Sequence, residues 1–170
     1  MPTRMDSMLS RGLGKVKAAK ARLSGLVGVF QTLSEQHGEA RALLERARSS
    51  DEKFAELWPT IRRELLSHER AETREVFPAL RMHAETRALA DDHDADAAEL
   101  EGLIERVNGL AAGAEERRRA YAELIETVQR HVTQEERETF PLAQRTLGKA
   151  RTEALDASFR AAKQQIAEAI

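Results

Sequence analysis

Apolar residues recur along this chain at steps of three and four, the spacing of one face of an α-helix. The first stripe runs Leu9, Leu13, Val16, Leu23, Val27 and Phe30, then continues through His37, Ala40, Leu44 and Ala47, which predicts one long helix. Ser49, with Glu52 three residues on, reads as a capping box opening a second helix whose stripe is Phe54, Leu57, Ile61, Leu65, His68 and Glu72. Pro59 lies inside that stripe, so the helix either starts near Trp58 or bends there. A third helix shows Leu89, His93, Ala97, Leu100, Ile104 and Val107 and ends near the Ala-Ala-Gly of 111–113. A fourth shows Tyr121, Leu124, Val128, His131 and Glu135, and beyond Gly148 a last amphipathic segment carries Leu155, Phe159, Ala162 and Ile166. Short connections make consecutive helices antiparallel neighbours. The expectation is an all-α chain: a basic helical extension over 1–21, an antiparallel up-down four-helix bundle over 22–147, and a C-terminal helix over 148–170.

Composition agrees with this and removes several functions. Aromatic residues are 4% of the 170 positions and charged residues 33%, an alphabet that favours helix over sheet. Cysteine is absent, which excludes disulfides, thiolate zinc sites, iron–sulfur clusters and cysteine nucleophiles. Net charge is -2, so the chain as a whole makes no electrostatic case for nucleic acid. Residues 1–25 nevertheless carry six basic side chains against Asp6, a local +5 read as a solvated, partly packed helix. No apolar run reaches the ~18 residues of a membrane span, and no leader pattern is seen, so a cytoplasmic protein is expected. Nothing in the sequence sets its oligomeric state.

The eleven residues at 68–78, HERAETREVFP, recur at 131–141 as HVTQEERETFP. Six positions are identical, in the pattern H-x-x-x-E-x-R-E-x-F-P, at an offset of 63 residues. His37 and His93 precede the two motifs at an offset of 56, so the chain reads as a duplicated helix pair, each half holding one lone histidine and one His-Glu pair.

Each motif glutamate follows its histidine by four residues, a rotation of about 40° and a rise of about 6 Å, so both project from one helix face. A lone histidine on an apolar stripe is ordinarily a hydrogen-bonded core residue, and a single H-x-x-x-E is an ordinary surface pair. Two inward glutamates beside four inward histidines are different, because a carboxylate is costly to bury without a partner. Four imidazoles and two carboxylates from four helices suit two divalent metal ions.

These residues resemble the hemerythrin-like HHE cation-binding family, whose pattern is H…H-x-x-x-E…H…H-x-x-x-E across a four-helix bundle. The resemblance covers roughly residues 30–145. It implies two iron ions held by His37, His68, Glu72, His93, His131 and Glu135, with Glu72 and Glu135 bridging and two histidines on each iron. The ferritin-like alternative needs Glu-x-x-His, and the residues three before each histidine are Ser34, Leu65, Leu80, Ala90 and Val128. The oxygen-carrying hemerythrins have a fifth histidine one turn before the third-helix ligand, where this chain has Leu89. Their last carboxylate follows its histidine by five residues, where Glu135 follows His131 by four. His83 is ten residues from His93 and reads as a loop residue. Glu69 is a candidate further ligand, since some relatives use a carboxylate there, although it lies about 100° off the His68 face.

The resemblance implies a protein that binds or senses a small oxidant such as dioxygen, nitric oxide or peroxide. Iron storage or delivery without turnover, and an enzyme handling peroxide or nitric oxide, are the alternatives; a single structural zinc uses fewer ligands than are present. Glu75 and Glu138 read as partners of neighbouring arginines. Phe77-Pro78 and Phe140-Pro141 are expected to close the bundle and to kink or end their helices. Arg11-Gly-Leu-Gly-Lys15 lacks phosphate-loop spacing.

Overall fold

A computed structural model describes residues 25–170; the basic extension over 1–21 lies outside the described residues. The described residues are helical almost throughout and contain no strand. The helices are α1 (Gly28–Ala47), α2 (Asp51–Ala71), α3 (Phe77–Arg81), α4 (Ala84–Gly109), α5 (Glu115–Gln134), α6 (Phe140–Leu147) and α7 (Lys149–Ala169). Two five-residue π-helical turns, Glu72–Val76 and Glu135–Thr139, join α2 to α3 and α5 to α6.

The helix predicted through Val27 and Phe30 is not continuous across residues 25–28. Gly25 and Gly28 have positive φ and Val27 is extended, so α1 begins at Gly28. A Cβ on Gly28 would lie 2.7 Å from the carbonyl oxygen of Thr152, because the backbone of α7 passes directly over this turn. Only glycine meets both conditions.

Helix α2 begins later than a cap at Ser49 would place it and earlier than a start near Trp58, correcting both. Its cap is Ser50, whose hydroxyl accepts from the Lys53 amide at 3.1 Å, one residue after the predicted Ser49. It also runs unbroken from Asp51 through Pro59. Pro59 and Ala55 both face solvent, so the carbonyl deprived of its i+4 donor can be satisfied by water. In the third helix the inward residue is Ala90, and Leu89 is only half-buried. His83 precedes α4 in a turn, as expected.

The Phe-Pro pairs do not end their helices. In each motif the Phe77 or Phe140 amide donates five residues back, to the carbonyl of Glu72 or Glu135. The widened turn accommodates the following proline, which has no amide hydrogen and clashes with a normal α turn. The helical path then resumes with Pro78 or Pro141 in the first turn of α3 or α6.

Contacts give the helix directions. Trp58 meets Asn108 and Arg70 meets Glu101, so α2 and α4 run oppositely. Arg106 meets Glu123 and Glu99 meets Arg130, so α4 and α5 do too. Ser34 meets Glu136 and Leu44 meets Tyr121, so α1 and α5 are likewise opposed. Helix α7 packs on α1 and α2. It is parallel to α1 through Thr32–Arg160 and Gln36–Lys163, and antiparallel to α2 through Glu64–Lys163 and His68–Phe159.

The interior has two apolar clusters. One surrounds Phe54, Leu57, Trp58, Ile104, Tyr121 and Leu124 near the turns at 48–50 and 110–114. The other gathers Phe30, Leu33, Phe77, Leu80, Phe140 and Phe159 toward the opposite end. Between them lies a layer of buried histidines and glutamates. Each large apolar side chain in those clusters contributes roughly 1.5–3 kcal/mol, so the polar layer is held in place by packing on both sides.

Candidate metal centre

The polar layer contains His37 from α1, His68 and Glu69 from α2, His93 from α4 and His131 from α5, with Glu72 and Glu135 opening the two π turns. All seven side chains are buried. The four histidines and two motif glutamates therefore meet in one place, and Glu69 joins them. The 100° offset of Glu69 from His68 does not carry it to solvent, because residues 65–69 are all buried beneath α1, α4 and α7.

Glu135 is the hub. Its carboxylate lies 3.3 Å from His37 Nε2, 3.3 Å from His131 Nε2 and 3.6 Å from His93 Nδ1. Glu72 Oε2 lies 3.2 Å from His68 Nε2, and Glu69 Oε1 lies 3.3 Å from His131 Nε2. These approaches lack hydrogen-bond alignment, and nine buried atoms are left without such a partner: His37 Nε2, His68 Nε2, His93 Nδ1, His131 Nε2, Glu69 Oε2 and both oxygens of Glu72 and Glu135. Buried polar atoms are almost always paired, so nine converging orphans describe a site built for something else. Three overlapping trios, Glu69–His93–His131, His68–Glu69–Glu72 and Glu72–His131–Glu135, each have ligand atoms within 4.8 Å of one another.

The outward ring nitrogens are tied down. His37 Nδ1 lies 3.1 Å from Glu136 Oε1, His68 Nδ1 3.0 Å from Gln36 Oε1, and His93 Nε2 3.1 Å from Thr73 Oγ1. Partners of this kind fix ring orientation at metal sites. Phe140 stacks on His37 at 5.7 Å, Phe77 on His93 at 3.5 Å, and Phe159 meets His68 edge-on at 5.8 Å. The repeat gives this arrangement its logic. Thr73 and Glu136, the residues just after the motif glutamates, hold equivalent places, as do Phe77 and Phe140. Each repeat thus orients the lone histidine of the other.

Without a metal, the electrostatics are strongly uneven. Burial drives Glu72 well above the usual carboxylate range, helped by Glu135 and Glu69. Burial opposes charge on Glu135 too, but His131, His37 and His93 outweigh it and hold Glu135 well below that range. Burial disfavours His131 as a cation, yet Glu135 and Glu69 raise it to about 10. The same balance, with Glu135 and Glu136, raises His37. His68 is held well below 6.5 by burial, with His37 and Lys163 adding to the effect.

Other sequence candidates lie elsewhere. Glu75 pairs with Arg74 at 3.0 Å, and Glu138 is exposed. Tyr121 sits in the far apolar cluster, donating to the Leu44 carbonyl at 2.8 Å. Gln36, Thr73, Glu136 and Lys163 touch the site's histidines or their partners and were not singled out from the sequence. Residues 28–143 match the hemerythrin HHE cation binding domain. The chain belongs to that family. The match ends before α7, and it contains all seven buried side chains of the centre. The chain is also similar to a protein described as a DNA nickase from Nostoc sp. (strain PCC 7120 / SAG 25.82 / UTEX 2576), 26% identical over 171 residues. That alignment takes in 90% of this chain but 48% of the relative, so the chain spans about half the relative's length. No solved structure gives a significant match. No helix among the described residues is long and apolar enough to cross a membrane.

Proposed function

We propose that the chain is a non-haem di-iron protein that binds or senses a small oxidant: dioxygen, nitric oxide or peroxide. The carrying observation is the set of nine orphaned nitrogen and oxygen atoms in a layer sealed above and below by apolar clusters. Imidazole and carboxylate donors in this number suit two iron ions better than one tetrahedral zinc. His37, His68, His93 and His131 would serve as terminal ligands and Glu72 and Glu135 as bridges. Glu69, facing both His68 and His131, would add a seventh ligand. The opposed directions of α1 and α5, α2 and α4, and α4 and α5 support an antiparallel up-down bundle as the scaffold.

Two irons supply the electrons with which such a centre binds or reduces an oxidant. The chain's own residues orient the ligands, exclude bulk water and limit what enters. A cavity of about 30 Å³ touches His37, His68, Glu69 and His131. That is room for one water-sized molecule, which favours a diatomic gas or peroxide over an organic substrate. A larger cavity of about 290 Å³ between α1 and α5, walled by Leu44, Ile125, Val128 and Val132, reaches His37 from outside.

Metal analysis of the purified chain, then anaerobic loading with iron(II) and exposure to air, nitric oxide and peroxide in turn, tests this reading. Two irons per chain and new visible absorption with at least one oxidant are expected. No metal, a single zinc, or two irons indifferent to all three would overturn it. The name of the relative raises DNA strand cleavage as a second reading. Burial of every candidate ligand argues against the centre itself meeting a phosphodiester backbone. Plasmid nicking by the iron- or manganese-loaded chain that disappears in His68→Ala and His131→Ala would establish it nonetheless.

A further inference from the structure

Helix α7 lies beyond the matched family domain, yet beside the Phe159 ring it brings one charged side chain to the centre. Lys163 Nζ stands 2.8 Å from Gln36 Oε1 and 2.9 Å from Glu64 Oε2, and the same Gln36 oxygen stands 3.0 Å from His68 Nδ1. We infer that Lys163 is a positioning residue for the centre: acting through Gln36, it locks His68 in the tautomer that turns a bare Nε2 toward Glu72, and does so for one half of the duplicated site only.

The argument is one of donors and acceptors. An ammonium group only donates, so the Gln36 atom facing Lys163 is the amide oxygen. The same oxygen faces His68, so Nδ1 of that ring must carry the hydrogen and donate it. A neutral imidazole has one N–H, which leaves Nε2 as a lone pair, 3.2 Å from Glu72 Oε2. Remove the cation and the amide is free to turn its NH2 group toward the ring, which then favours the opposite tautomer. Glu64 holds the lysine, and the Lys163 side chain is only 16% exposed, so the chain of contacts is fixed at both ends.

The repeat shows what is unusual here. His131 is the counterpart of His68, and the counterpart of Gln36 at an offset of 56 is Asp92. Asp92 and Asp96 line a small cavity beside His131, where α4 and α5 form the wall. Helix α7 packs on α1 and α2, not on that side. One half of the centre is therefore backed by a lysine-held amide, while at His131 no lysine of α7 is in place and Asp96 adds negative charge nearby. An amide already engaged by a cation is a weaker acceptor than a carboxylate, so His68 becomes the less electron-rich ligand, in contrast to His37 with Glu136 behind it.

The tautomer claim rests on the protein alone; its consequence for metal binding rests on the di-iron reading. Side-chain 15N spectra of the metal-free full chain at pH 7.5 test the first, comparing the parent with Lys163→Met, Lys163→Arg and Gln36→Leu. Expected are a single Nδ1–H tautomer for His68 in the parent, a mixture in Lys163→Met and Gln36→Leu, and restoration in Lys163→Arg, with helical circular dichroism preserved throughout. A His68 ring that keeps one tautomer in both Lys163→Met and Gln36→Leu overturns the inference. Titration with Co²⁺ tests the second: one of two sites should weaken by about 10–100-fold in Lys163→Met and recover in Lys163→Arg. Unchanged affinity at both sites overturns the tuning role. A parent that binds no Co²⁺ while its tautomer still responds to Lys163→Met refutes the metal reading and leaves the positioning contact standing.

Discussion

Glu135→Gln isolates the charge at the middle of the site while keeping its volume. In the metal-free chain this carboxylate faces three imidazoles, at 3.3, 3.6 and 3.3 Å. It is the largest influence raising His131 to about 10. Against 6.5 for the unfolded chain, a shift of that size corresponds to on the order of 4–5 kcal/mol of folding stability while His131 stays protonated. Not all of it is lost in the variant. Glu69 remains 3.3 Å from His131, and losing a buried anion relieves that anion's own desolvation. A net loss of about 2 kcal/mol is expected. The sign with pH follows from the direction of the shift. A raised folded pKa stabilises fully below about 6.5, and that stabilisation disappears as pH rises through about 10. Urea unfolding of the metal-free parent and variant should therefore differ by about 2 kcal/mol at pH 6 and converge near pH 10. A variant as stable as the parent at pH 6, or an equal penalty at both pH values, would show that Glu135 does not hold His131 as a cation.

Metal uptake should also expel protons, since ligands coordinate as bare imidazole and ionised carboxylate. His131, His37 and Glu72 all have raised pKa values in the metal-free chain. Calorimetric titration with Co²⁺ at pH 7 in buffers of different ionisation enthalpy should report net proton release, with affinity rising as pH rises; an unchanged apparent enthalpy across buffers would contradict this charge state. Gly28→Ala should cost about 2–4 kcal/mol in chemical unfolding, combining left-handed backbone with the 2.7 Å approach to Thr152. A loss under about 0.5 kcal/mol would mean that α7 is not pressed against α1 at this turn.

Much of the fold was legible because the apolar stripes are long and regular, and the short turns near 48–50 and 110–114 left little freedom in connecting them. Periodicity could not show where α1 begins. The stripe passes smoothly from Leu23 to Phe30, but the backbone turns at Gly25 and Gly28, and only the passage of α7 over Gly28 explains why. Pro59 does not mark a start, since the helix already runs from Asp51. A proline breaks a helix when the carbonyl it orphans is buried, and here that carbonyl faces solvent. The Phe-Pro pairs pointed to a real irregularity whose form is a widened turn and not an end, because the phenylalanine amide reaches five residues back just ahead of a proline that has no amide hydrogen.

The centre itself was legible to the extent that it repeats. His37, His68, Glu72, His93, His131 and Glu135 stand out because the chain states the pattern twice. Reading the repeat further would have found Thr73 and Glu136, since the position after each motif glutamate can reach the lone histidine of the other half. Glu69 is a candidate from its place beside His68, but its offset of about 100° would turn it outward on a helix with one buried side. Covered by α7 as well, α2 is buried around residues 65–69, and the neighbour of His68 becomes part of the same layer. Lys163 had no signal at all: a lysine on an amphipathic helix is ordinarily a solvated charge, and nothing in its spacing links it to Gln36. What the duplication cannot encode is whatever breaks its symmetry. The element that does so here is α7, added outside the repeated pair, so it is in the contacts of α7 that the two halves of the centre should be sought to differ.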